Sequence, residues 1–79
     1  MARVLLFGRL ADQAGWRDRE VAAADLASLR RALAIEDPAL AEALTAPGVQ
    51  VAVDKTLVRG EAVLGERAEV AFLPPMSGG

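Results

Sequence analysis

The sequence predicts a single two-layer α+β domain, with one main helix packed across one face of a mixed sheet. Three observations carry that expectation. Val4 and Leu6, then Val49, Val51 and Val53, then Val70 and Phe72 recur every second residue, the period of strands with one face on a core. Between the first and second of these runs, Leu26, Leu29 and Leu33 fall at i, i+3 and i+7, the stripe of an amphipathic helix. At 79 residues the chain is too short for two cores. Its apolar content of 53% argues for a folded globule and against disorder.

Arg3-Val4-Leu5-Leu6-Phe7 forms the first strand. With Val4 and Leu6 turned to the core, Arg3, Leu5 and Phe7 share the other face, and a face carrying an arginine is not sealed inside. Gly8 to Gly15 is short and bracketed by glycine, so it reads as a loop with about one helical turn. Arg19 to Ala22, centred on Val21, forms a second strand, paired with the first across a long connection. Asp25 then caps the main helix, its carboxylate accepting from the free amides of the first turn. Asp37-Pro38 opens a shorter helix, with an N-cap followed by proline at the first position. That helix carries Leu40 and Leu44, and Pro47-Gly48 stops it.

Val49 to Val53 is a third strand. Asp54-Lys55 is a turn, although it lacks the glycine expected of the tightest hairpins, and Thr56-Leu57-Val58 is a short fourth strand. Arg59 to Arg67 is a polar, glycine-punctuated loop in which Val63 and Leu64 dip back to the core. Glu69 to Leu73 is the last strand. Pro74-Pro75 ends it, because neither residue has an amide hydrogen to donate.

In the compact solution to this order, the first and last strands lie parallel at the sheet centre, with a crossover through the helix between them. That is the ubiquitin-like β-grasp topology. The domain occupies residues 1–73, and residues 74–79 form an extended, flexible tail. Alternation also defines a surface. If Val4, Leu6, Val70 and Phe72 face the core, then Phe7, Leu73, Leu5 and Ala52 lie on the sheet face opposite the helix, where a partner would dock.

Composition excludes most chemistry. There is no Cys and no His, which removes disulfide scaffolds, thiolate zinc sites, Cys-His nucleophiles and Ser-His triads. No Asp/Glu cluster has the spacing of a metal loop, so no metal is expected. The net charge is −2, and the arginines are scattered among acids, so no basic stripe suggests nucleic acid. The first apolar run, Val4 to Phe7, is far shorter than a membrane span. The expectation is a cytoplasmic protein with no nucleic-acid or membrane partner.

The end of the chain is the informative part. After the last strand come Pro74, Pro75, Met76, Ser77, Gly78 and Gly79. At a background glycine frequency of about 7%, two terminal glycines arise by chance in roughly 0.5% of chains. With no cysteine in the chain, the reactive group that this end offers is its terminal carboxyl. Glycine at the last two positions removes side-chain bulk and lets a chain enter a narrow channel. The two prolines stiffen the root of the tail, and six residues reach about 19–20 Å. A carboxylate must be activated before it reacts. No phosphate loop of the GxxxxGK kind occurs here, so ATP is used by an adenylating partner, and this chain binds no cofactor.

Val70-Ala71-Phe72-Leu73-Pro74-Pro75-Met76-Ser77-Gly78-Gly79 closely resembles the end of the molybdopterin synthase small-subunit family of ubiquitin-like sulfur carriers. Val4-Leu5-Leu6-Phe7 and Val51 to Val58 are also similar to that family. Together the three stretches cover somewhat under a third of the chain. Leu73 departs from the pattern, because an aromatic residue is common there.

The resemblance implies a cycle. An adenylating enzyme of the ubiquitin-activating type activates Gly79, and a sulfur donor protein converts it to a thiocarboxylate. The large subunit of molybdopterin synthase then receives the tail and delivers sulfur to precursor Z. Gly79 is thereby a co-substrate, and the chain alone is not an enzyme. A carrier for thiamin thiazole synthesis and an isopeptide-forming protein modifier are the alternatives that share the Gly-Gly end.

Overall fold

A computed structural model of the chain describes residues 1–75. Eight elements follow in order: β1 (Ala2–Leu6), α1 (Arg9–Ala14), β2 (Asp18–Val21), α2 (Leu26–Glu36), α3 (Pro38–Leu44), β3 (Gln50–Val53), β4 (Thr56–Val58) and β5 (Glu69–Leu73). The strands form one sheet in the order β2-β1-β5-β3-β4. β1 and β5 run parallel, and the other pairs are antiparallel. This is the β-grasp arrangement expected from the element order.

Register explains the core. Leu6, Phe72, Val51 and Val58 stand level across β1, β5, β3 and β4, as do Val4, Val70 and Val53 one pleat away. Val4, Leu6, Val70 and Phe72 are fully covered, and Leu26, Leu29, Leu33, Leu40 and Leu44 from α2 and α3 close over them. The Arg30 guanidinium lies 5.4 Å from the centroid of the Phe72 ring, a cation–π contact. Burial holds the Arg30 pKa below its ordinary value, against an opposing pull from Glu61.

Four local readings change. Gly8 to Gly15 contains a helix, α1, which buries Leu10 and Ala11. The bracketing glycines mark its ends: Gly15 is left-handed at the C-cap and donates to the Ala11 carbonyl at 2.9 Å, a helix-terminating geometry that glycine favours. β1 and β2 each begin one residue earlier than expected. Phe7, outside β1, still donates to the Phe72 carbonyl at 3.2 Å, so the ladder continues one bond past the strand. Leu64 is buried but Val63 is not, at 85% exposed. The segment is fastened by its backbone, through a bridge between Asp25 and Val63 and a 2.8 Å bond from Leu64 to Ala24, so it needs no side-chain anchor at 63. Finally, β3 begins at Gln50, with Val49 half-buried ahead of it.

The Asp54-Lys55 turn is tight despite lacking glycine. Both residues have positive φ, 50° and 69°, the signature of a type I′ hairpin, and a conformation that Asp tolerates better than most residues. Asp54 is held there by β5: its carboxylate accepts from the Glu69 amide at 2.9 Å, and its own amide donates to the Glu69 carbonyl at 2.8 Å.

The expected helix caps are present. Asp25 accepts from the Ser28 amide at 2.8 Å, and Asp37 from the Leu40 amide at 3.1 Å. Hydrogen bonding from Ser28, through its side chain and its backbone amide, holds the Asp25 carboxyl below the usual range. On the opposite face, a hydrogen bond from Arg3 does the same for Asp18. A carboxyl whose folded-state value is depressed contributes stability that is complete above its unfolded value, about pH 3.9, and is lost as pH falls through the depressed value. The urea midpoint is therefore expected to hold steady from neutral pH to about 4 and to drop below that. Asp25→Ala should lower the midpoint at pH 7 and make the acid decline shallower. An unchanged acid decline in that variant would exclude Asp25 as its source.

Candidate functional site

Two features meet at one end of the sheet: an apolar patch on the face without helices, and the place where β5 leaves the domain. Leu5, Ala71, Ala52 and Leu57 stand level across β1, β5, β3 and β4. Phe7 and Leu73 continue this face toward the exit of β5. Among the described residues all three helices pack on the other side, and Phe7 and Leu57 are 43% and 57% exposed.

Phe7, Leu5 and Leu73 thus lie where alternation puts them, with Leu5 and Leu73 half-buried. Ala52 shares the row, but at 9% exposure it offers little surface, being flanked by β4 and β5. Leu57 was not anticipated and is the most exposed member of the row. The two-residue turn at Asp54-Lys55 carries the missing signal, since it sets Ala52 opposite Leu57. Toward the start of β5 the same face turns polar, with Arg3 paired to Asp18 and level with Glu20 and Glu69. The apolar half is the one next to the tail.

Pro74 and Pro75 are half-buried. They rest on the two glycines at this end of the sheet, Pro74 against Gly8 and Pro75 against Gly48. The expected site residues Met76, Ser77, Gly78 and Gly79 lie outside the described residues.

A concavity of about 420 Å³ lies along the β4 edge. Arg30 and Arg59 line it with Gln50 and apolar side chains; no carboxylate or hydroxyl does. It offers no nucleophile and no acid–base pair. No group of three or more acidic residues among the described residues could hold a metal ion, and no described helix is long and apolar enough to cross a membrane.

The profile of the ThiS family matches residues 4–79, both the fold and its C-terminal extension. The chain belongs to the ThiS family. It is therefore of the ubiquitin-like sulfur-carrier type. Two solved structures share the fold over nearly their whole length. SAMP1 from Haloferax volcanii is 25% identical with a TM-score of 0.83, covering 99% of this chain and 98% of its own. The small archaeal modifier protein 1 from Methanosarcina acetivorans is 21% identical with a TM-score of 0.86, covering 99% and 95%. No protein of curated function matches the chain.

If the apolar half of the open face docks a partner, charge placed there should weaken binding without unfolding the domain. Phe7→Arg and Leu57→Arg are each expected to raise the Kd for the adenylating partner about tenfold or more, as loss of a central contact does. Circular dichroism should remain that of the wild type. Unchanged affinity in both variants would remove this face from the interface.

Proposed function

We propose that this ThiS-family chain carries sulfur as a thiocarboxylate on Gly79 and serves as the small subunit of molybdopterin synthase. The observation that carries the reading is the sequence Phe72-Leu73-Pro74-Pro75-Met76-Ser77-Gly78-Gly79, which starts on the last two residues of the central strand, where that strand leaves the domain beside an apolar face. The family match, which runs to residue 79, supports the carrier role. The specific pathway rests on the Pro-Pro and Ser-Gly-Gly pattern.

The chemistry needs two steps at one carboxyl group. The Gly79 carboxylate attacks the α-phosphate of ATP in the adenylating partner, giving an acyl-adenylate and pyrophosphate. Sulfide-level sulfur from a donor protein then attacks the carbonyl carbon, forming the C–S bond and releasing AMP. In the large subunit the thiocarboxylate sulfur passes to precursor Z, and water supplies the oxygen that restores the carboxylate. This chain contributes the reactive end and the docking face. The adenylating partner contributes the ATP site, so the chain is a co-substrate.

The archaeal modifier structures favour one further reading, conjugation to proteins. Both readings pass through the acyl-adenylate and differ in the attacking group: sulfur for a carrier, a lysine amine for a modifier. Lys55 is the only lysine of the chain, so self-linked chains would use it or the amino terminus.

Reconstitution separates the pathways. Thiocarboxylated protein, given the molybdopterin synthase large subunit and precursor Z, should return to the carboxylate mass while dithiolene product appears. Turnover with a thiazole synthase in place of the large subunit, and none with the large subunit, would reassign it to thiamin synthesis. A ladder of isopeptide conjugates with no sulfur-dependent mass change would reassign it as a modifier.

A further inference from the structure

We propose that Gly8 and Gly48 form a notch that seats Pro74 and Pro75 and so fixes the line along which the reactive end leaves the sheet. The topology brings these four residues together. β1 runs parallel to β5 and β3 antiparallel to it, so the end of β1 and the start of β3 flank the exit of β5 on either side. Gly8 stands two residues after β1, and Gly48 two residues before β3.

Each glycine meets one proline. A Cβ at Gly48 would lie 2.8 Å from the Cβ of Pro75 and 3.0 Å from its Cγ, and a Cβ at Gly8 would lie 3.1 Å from the Cγ of Pro74. A carbon at 2.8 Å is closer than real side chains come, so the Pro75 ring occupies space that only glycine leaves open.

Positive φ alone would call for glycine at both positions, at 56° for Gly8 and 88° for Gly48. Gly15 and Gly60 also have positive φ, at 84° and 78°, yet a Cβ on either would meet nothing within 4 Å. The crowding at 8 and 48 is therefore separate from turn geometry and belongs to the root of the tail. Two rings of fixed φ, packed from opposite sides, hold that root to one heading.

The consequence deepens the sulfur-carrier reading and rests on it. A carboxyl that must reach a phosphate inside a partner arrives in line only if its segment starts in the right direction. An error of about 1 Å at reacting atoms costs on the order of 100-fold in rate. Gly8 and Gly48 are thus positioning residues, remote from the chemistry.

The test uses the full chain, with Gly48→Ala and Gly8→Ala as the notch variants. Gly15→Ala and Gly60→Ala control for positive φ. Three quantities are measured: nuclear Overhauser contacts between the Gly48 α-protons and the Pro75 ring, the melting temperature, and ATP–pyrophosphate exchange by a ubiquitin-activating-type enzyme at varied chain concentration. The wild type should show the contacts. All four variants should melt lower, because each puts alanine at positive φ. Only the notch variants should lose exchange kcat, Gly48→Ala about tenfold or more and Gly8→Ala less. Their KM for the chain should stay within about twofold, since the apolar face that supplies docking contacts is untouched.

Full kcat in Gly48→Ala, or an equal loss in the control variants, would overturn the proposal, as would absence of the Gly48–Pro75 contacts in the wild type. If Gly48→Ala does not fold, Gly8→Ala against the same controls decides the question. Contacts present with no exchange by the wild type would sink the carrier reading, and with it the role given to the notch.

Discussion

Deleting Gly79, or adding a single residue after it, is expected to abolish sulfur acceptance while leaving the melting temperature nearly unchanged. The chain has neither cysteine nor histidine, so no side chain substitutes as a sulfur carrier. Deletion leaves Gly78 with the carboxyl, one residue short, and about 3.3 Å of lost reach withdraws it from an in-line attack. Extension buries the Gly79 carbonyl in a peptide bond, where no adenylate forms. The core rests on Phe72, Val70, Leu6 and the leucines of α2 and α3, none of which either change touches. Sulfur acceptance at the wild-type rate in both variants would refute the role of Gly79. A large fall in melting temperature would instead make the tail part of the fold.

Phe72→Ala is expected to be the most damaging single substitution for stability, costing about 3–5 kcal/mol. The residue lies on the central strand between Leu6 and Val51, is 0% exposed, and carries the Arg30 guanidinium over its ring. A domain of this size is held by about 4–12 kcal/mol, so the variant should be largely unfolded at modest urea. Its neighbour offers the contrast: Leu73→Ala, on the open face and half-buried, should cost much less in stability and more in partner affinity. Equal losses of stability at 72 and 73 would mean that the two faces of β5 are not distinguished as the register requires.

The sheet was legible because β1, β3 and β5 keep period two, and the parallel pairing of β1 with β5 followed from the helix between them. The two short helices show what makes an element readable. α3 announces itself with Asp37-Pro38, a cap followed by a proline at the first helical position. α1 has no side-chain cap and only two buried residues, so its glycines read as loop residues when they are its stops. Val63 shows the reverse error: an apolar residue in a polar loop suggested an anchor, but the backbone bridge to Asp25 does that work.

On the candidate site, Phe7, Leu5 and Leu73 were readable from alternation within single strands. Leu57 required the register across a hairpin, fixed by two residues whose positive φ the sequence does not advertise. The seating of Pro74 and Pro75 on Gly8 and Gly48 was out of reach for a different reason. It joins positions separated by 66 and 27 residues along the chain, and no local pattern encodes a gap that exists only because two side chains are absent.

The central claim is that the terminal carboxyl carries sulfur. Intact-protein mass spectrometry tests it most directly, after incubation of the full chain with ATP, a ubiquitin-activating-type enzyme and sulfide. The account predicts a mass increase equal to exchange of one oxygen for sulfur, located by fragmentation at Gly79, dependent on ATP and lost when the sample is treated with a thiol-alkylating reagent in favour of the alkylated mass. An unchanged mass in the presence of a demonstrated acyl-adenylate, or sulfur located anywhere but Gly79, would contradict it.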